Sequence, residues 1–160
     1  LTVTGTSGGK VSSSPAGINC GSDCSETYSA ATTVTLTAAP ASEFKFSKWS
    51  GVGTSDCTGP VCTINITSTR TVTAKFVPMY MLKVTSTPSI LKVISDGVSG
   101  IDCGTDCSES YPADTVVPLA VDSIDSRFVF FGYSGDCTGD ECILTMNSNK
   151  TVGTMYLPNP

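Results

Sequence analysis

The strongest constraint on this chain is that it is written twice. Leu1-Thr2-Val3-Thr4 returns as Leu82-Lys83-Val84-Thr85, and Gly17-Ile18-Asn19-Cys20-Gly21-Ser22-Asp23-Cys24 returns as Gly100-Ile101-Asp102-Cys103-Gly104-Thr105-Asp106-Cys107. Phe46-Ser47-Lys48-Trp49-Ser50-Gly51 answers to Phe130-Phe131-Gly132-Tyr133-Ser134-Gly135, and Cys57 and Cys62 answer to Cys137 and Cys142. A fixed period marks each copy as one folding unit of like architecture. The offset is 81 at the start, 83 in the middle and 80 at the end. The second copy thus gains two residues near Lys92, gains one before Phe128 and loses four between the counterparts of Gly51 and Cys57. Length changes settle in surface loops, so all three places are expected to be loops. Two units follow, 1–78 and 79–160. Their joint, Val77-Pro78-Met79-Tyr80-Met81, is apolar and has no Gly/Ser linker, so the units are expected to touch there rather than swing freely.

Within each unit the hydrophobic period is two. Val34, Leu36 and Ala38 alternate with threonines, as do Val72, Ala74 and Phe76 with Thr71, Thr73 and Lys75. Cys62, Ile64 and Ile66 behave likewise, and Val117, Leu119, Val121 and Cys142, Leu144, Met146 repeat the pattern in the second unit. This predicts strands with one buried face, built from β-branched residues, at about 1–5, 10–13, 32–38, 43–49, 61–66 and 71–77. Their counterparts are expected at about 81–86, 91–95, 115–121, 127–133, 142–146 and 150–156. No helical apolar stripe appears. The expected fold is all-β: two tandem small antiparallel β modules, each with two local disulfides. Pro118 cannot donate to a ladder, so its strand is expected to be an edge or to bulge there.

The cysteines carry the most chemistry. Each unit holds one C-x3-C and one C-x4-C, and the expected bridges are Cys20–Cys24, Cys57–Cys62, Cys103–Cys107 and Cys137–Cys142. Four cysteines per unit allow three connectivities, and an all-thiolate zinc site in each unit is the rival use of them. Units of this size build small cores, so closing even a short loop matters. On this reading the bridges close loops rather than join sheets. Stable disulfides imply an oxidising compartment. No signal peptide precedes the first strand, so Leu1 is expected to follow processing or trimming.

The order of these motifs resembles a known family. Gly17-Ile18-Asn19-Cys20-Gly21 with Cys24, the alternating Val34-Thr35-Leu36-Thr37-Ala38 strand, Phe46-x-x-Trp49-Ser50-Gly51, the C-x4-C loop and the closing Thr71-Val72-Thr73-Ala74-Lys75-Phe76 strand are similar to the divergent internalin-B B-repeats of bacterial secreted and cell-surface proteins. The likeness spans nearly the whole chain as two tandem copies. In the second, Tyr133 replaces Trp49, and Gly153-Thr154-Met155-Tyr156 replaces Thr73-Ala74-Lys75-Phe76. The resemblance implies a β-rich extracellular spacer or adhesion module on the bacterial surface, with no catalytic residues to carry over.

Composition narrows the function further. The chain has no His, which removes Ser–His and Cys–His catalytic pairs and histidine-ligated metal or haem. Charged residues make up 14% and the net charge is −5, which speaks against a nucleic-acid partner. No apolar run is long enough for a membrane span, and no cofactor is expected. Trp49, the single Trp, and Tyr133 in the same slot are either packing residues or ring platforms for a glycan.

The acidic residues are unevenly shared. Residues 1–78 carry five Lys/Arg and four Asp/Glu, whereas residues 79–160 carry four and ten. Asp136, Asp140 and Glu141, or Asp102, Asp106 and Glu109, have the oxygen chemistry of a calcium site but match no ordered calcium loop, and solvated carboxylates are the plainer expectation. Asp122 and Asp125 are a weak candidate for paired-carboxylate hydrolysis, and Ser134 lies outside any nucleophile elbow. The expected function is non-enzymatic: a structural spacer, an adhesin segment or a subunit of a head-to-tail filament. The alternative is a carbohydrate-binding module. Self-association through β-strand or end-to-end contacts is suggested by the two ends. Leu1-Thr2-Val3-Thr4 begins as a strand, and Met155-Tyr156-Leu157-Pro158 resembles the internal joint.

Overall fold

The computed structural model describes residues 1–5, 7–51, 53–86, 91–95, 97–98, 100–104, 106–124 and 126–159. The described residues are strands and turns, without a helix. They divide into two compact units, Leu1–Pro78 and Met79–Pro160.

In the first unit, β1 (Thr2–Thr4), β5 (Phe44–Gly51) and the first part of β7 (Thr71–Thr85) form one sheet in the order β1-β7-β5. The other sheet has the order β3-β2-β4-β6, from β2 (Gly9–Ser14), β3 (Asn19–Cys20), β4 (Thr32–Pro40) and β6 (Val61–Ile66). β6 shows why the alternation matters: Cys62, Ile64 and Ile66 are buried while Val61, Thr63 and Asn65 face outward. Val34, Leu36 and Ala38 join them from β4, and Val3, Trp49, Val72, Ala74 and Phe76 come from the other sheet to complete one core. Burying each such aliphatic side chain contributes about 1.5–3 kcal/mol against chain entropy.

The second unit repeats this plan. One sheet has the order β10-β7-β14-β12, from β10 (Ser108–Pro112), the rest of β7, β14 (Lys150–Pro158) and β12 (Phe128–Gly135). The other has the order β13-β11-β8-β9, from β8 (Leu91–Ser95), β9 (Asp102–Cys103), β11 (Val116–Ile124) and β13 (Cys142–Thr145). Leu82, Val84, Tyr111, Tyr133 and Val152 meet Val93, Val117, Leu119 and Leu144 in its core.

The structure departs from the sequence expectations in five places. In each unit the opening and closing strands pair parallel, Thr2↔Thr71 through Thr4↔Thr73 and Lys150↔Leu82 through Gly153↔Thr85. The whole unit lies between these strands in sequence, which gives the chain the length a parallel crossover needs. The segments expected as separate strands at 71–77 and 81–86 belong to one strand, β7. β3, β9 and β10 carry too little alternation to stand out. Pro118 lies in β11, which is internal in its sheet, yet the β8 ladder begins only at Leu119↔Ser95. At Pro118 the strand has β13 alone as neighbour, so the missing N–H costs no ladder bond on the β8 side. The extra residue before Phe128 is absorbed as an irregularity between Val121 and Ser123 within β11, not in a loop.

Candidate functional site

Both cysteine loops of each unit are closed as expected: Cys20–Cys24, Cys57–Cys62, Cys103–Cys107 and Cys137–Cys142. Each bridge joins a strand residue to a loop residue four or five positions away, so the bridges close loops, as expected. Cys20 is buried at the end of β3 in one sheet, while the Cys24 carbonyl accepts the Val3 amide of β1 in the other at 2.8 Å. The second unit repeats this: Cys103 ends β9, and the Cys107 carbonyl accepts the Val84 amide of β7 at 2.8 Å. Each C-x3-C bridge thus closes a loop whose far end is hydrogen-bonded to the other layer. The Asp23 and Asp106 carboxylates accept the amides of Ser25 and Ser108, both at 3.2 Å, and fix the turn that follows each bridge.

The W-S-G corner is the second shared device. Gly51 has φ 120°, and a Cβ there would stand 2.4 Å from the Thr71 carbonyl oxygen. Gly135 has φ 86° and would meet the Thr151 oxygen at 2.5 Å. Only glycine lets the strand turn this close to its neighbour. The turn sends the C-x4-C loop back over the preceding aromatic. The Trp49 indole N–H donates to the Gly59 carbonyl at 3.0 Å, and its ring lies 5.3 Å from Phe46. Tyr133 donates its hydroxyl to the Leu119 carbonyl at 3.2 Å and packs edge-on to Phe130 at 4.9 Å. Trp49 is 5% exposed and Tyr133 2%. Both rings belong to the cores, and neither offers a free face for a sugar to stack on.

The acidic candidates are dispersed. Lys92 bridges Asp102 at 3.5 Å and Asp122 at 3.3 Å. The hydrogen bond that Lys92 donates to Asp122 and the charges of both carboxylates push the Lys92 ammonium above its ordinary pKa. Asp125 lies outside the described residues. Asp136 accepts the Thr151 amide at 2.6 Å and tethers its loop to β14. Asp140 and Glu141 border a depression of about 450 Å3 beside Phe130. Glu109 accepts the Ser110 amide at 2.8 Å, as Glu26 accepts that of Thr27 at 2.6 Å. Among the described residues, no three His, Cys, Asp or Glu gather into a metal-holding group. Ser134 lies in β12, where it pairs with Gly153.

Two surface features escaped sequence reasoning. The outer face of the second unit's β12 and β14 is apolar: Phe131 is 65% exposed, with Val129, Met155 and Leu157 beside it. The first unit carries Lys45 and Lys75 at the places of Val129 and Met155. The other feature is a groove of about 480 Å3 on the first unit, lined by Leu1, Thr27, Tyr28, Ala30, Ile66 and Thr69, among others.

Two-layer β units of this size, each with two short disulfide-closed loops and written in tandem, define a repeat module. Residues 1–79, which span the first unit, match the divergent InlB B-repeat domain, and that unit is a repeat of this family. No curated protein matches the chain, and no solved structure does. No helix among the described residues is long and apolar enough to cross a membrane.

Proposed function

We propose that this chain is a non-enzymatic, extracellular structural segment of a bacterial surface or secreted protein, a spacer whose repeats set distance and stiffness. The observation that carries the reading is the repetition itself. Both units keep the same two layers, the same C-x3-C loop hydrogen-bonded across them and the same glycine-turned aromatic corner. Selection on a spacer acts on folding and stability, and those are the features the two copies share, while their acidic side chains differ freely. The charged groups with described partners are occupied in turns and ion pairs, as for Asp23, Asp106, Asp136 and Lys92. That is a solvated surface rather than a proton-transfer site. Four bridges in 160 residues suit an oxidising exterior. The test is to label intact producing cells with an impermeant amine reagent and map disulfides on the recovered protein. Surface labelling with all eight cysteines paired is expected; protein confined to the cytoplasm with free thiols would overturn the reading.

A further inference from the structure

In the second unit, β10 lies antiparallel to β7, with Glu109↔Leu82, Ser110↔Met81, Tyr111↔Tyr80 and Pro112↔Met79. The first unit begins the same ladder and stops. Leu1 takes the place of Leu82: its amine donates to the Glu26 carbonyl at 2.8 Å, and its carbonyl accepts the Glu26 amide at 3.0 Å. Thr27, Tyr28 and Ser29, the counterparts of Ser110, Tyr111 and Pro112, have no strand beside them and form no strand among the described residues. The groove lies along this edge. Its far wall includes Thr69, the counterpart of Asn149, whose side-chain oxygen accepts the Met81 amide at 2.9 Å in the second unit. What fills the place in the second unit is thus residues 79–81. There Tyr80 packs against the core, and Tyr111 is 3% exposed, whereas its counterpart Tyr28 is only half-buried.

We propose that the groove is a strand seat, filled by the closing strand of a preceding repeat that leads into Leu1 as residues 79–81 lead into Leu82. This rests on the reading of the chain as a segment of a repeat array. The occupant is defined by its template: an extended stretch with an aromatic or large apolar residue two before Leu1, facing Tyr28 and Ile66, and outward positions free to vary. Glu26 and Leu1 exchange two hydrogen bonds, and antiparallel ladders alternate, so the next two-bond pair falls on Tyr28 and that aromatic. The occupant would satisfy the Tyr28 main chain and bury the edge that now lines the groove.

The test compares three full-length chains by amide exchange and by the urea midpoint of Trp49 fluorescence: the present chain, one with Pro-Met-Tyr-Met placed before Leu1, and one with Pro-Met-Pro-Met there. The Tyr extension is expected to slow Tyr28 exchange about tenfold, the factor one net hydrogen bond corresponds to, and to raise the midpoint. The Pro control keeps a carbonyl but has neither an N–H for the Tyr28 carbonyl nor the ring, and should give the smaller effect on both readouts. Unchanged exchange in the Tyr-extended chain would overturn the proposal. So would Tyr28 protection in the present chain that grows with concentration alongside a dimer in light scattering, because the occupant would then be a second copy. Either failure leaves the surface-spacer reading standing, and a cytoplasmic, reduced protein would sink that reading without altering the exchange result.

Discussion

Removing the Cys20–Cys24 bridge separates a layer tie from a loop closure, and the two ideas differ in what they do to the Val3 amide. The Cys20→Ala/Cys24→Ala pair frees a loop whose ends are four residues apart. In the chain-entropy account, that alone costs about 2 kcal/mol through the unfolded state. Cys20 is fully buried, so losing its sulfur subtracts about 1 kcal/mol more of apolar burial. A total of about 3 kcal/mol is a large share of what a small domain has. Trp49 is the single Trp and belongs to the first core, so its fluorescence in urea reports that unit directly. With a slope of about 1–1.5 kcal/mol per M for so small a unit, the midpoint should fall by about 2–3 M. The layer tie adds a local signature. The Val3 amide, bonded to the Cys24 carbonyl, should exchange faster in the variant, ahead of global unfolding. Unchanged Val3 exchange, with a midpoint shift no larger than the about 2 kcal/mol of loop closure, would refute the tie and return the bridge to a mere loop closure.

Three further outcomes are expected. Gly51→Ala places a Cβ 2.4 Å from the Thr71 oxygen at φ 120° and should destabilise the first unit by about 2–3 kcal/mol in the same urea assay; a loss below about 0.5 kcal/mol would show that the corner can relax. Burial holds the Tyr133 phenol above its ordinary value, so the unfolded chain gives up that proton first. Stability should be complete below about pH 10 and decline as pH rises toward the folded value, and Tyr133→Phe should flatten that decline in alkaline melts. Asp122→Asn removes the largest cause of the raised Lys92 value, and NMR titration of the Lys92 side chain should show it moving down toward an ordinary lysine; no movement would mean the ion pair does not persist in solution.

The repeat, the strands with strict alternation and the four bridges were legible because each rests on local pattern. Val34, Leu36 and Ala38 announce β4 without reference to any neighbour. β10 is different. Ser108-Glu109-Ser110-Tyr111-Pro112 has one apolar residue facing inward and becomes a strand only because β7 supplies the partner. The nearly identical Ser25-Glu26-Thr27-Tyr28-Ser29 stays outside any strand in the first unit, so no reading of composition could separate the two. The same holds for the C-x3-C loop. Its pairing follows from spacing, but its role as a layer tie depends on where the Cys24 carbonyl points. Packing is the plainer reading of Trp49, but its partner, the Gly59 carbonyl of the C-x4-C loop, depends on how that loop folds back.

The parallel pairing of opening and closing strands has a mechanical consequence. Suppose tension enters a unit at the start of its opening strand and leaves at the end of its closing strand. The two strands then slide past each other along their length, because they run the same way and are pulled from opposite ends. The rungs from Thr2↔Thr71 to Thr4↔Thr73, and from Leu82↔Lys150 to Thr85↔Gly153, are loaded together in shear instead of being peeled one at a time. Resistance to such pulling is a matter of unfolding rate rather than of equilibrium stability. A patch of three or four rungs can thus act as a clamp in each unit, holding out against traction that would unzip an antiparallel pair of the same length.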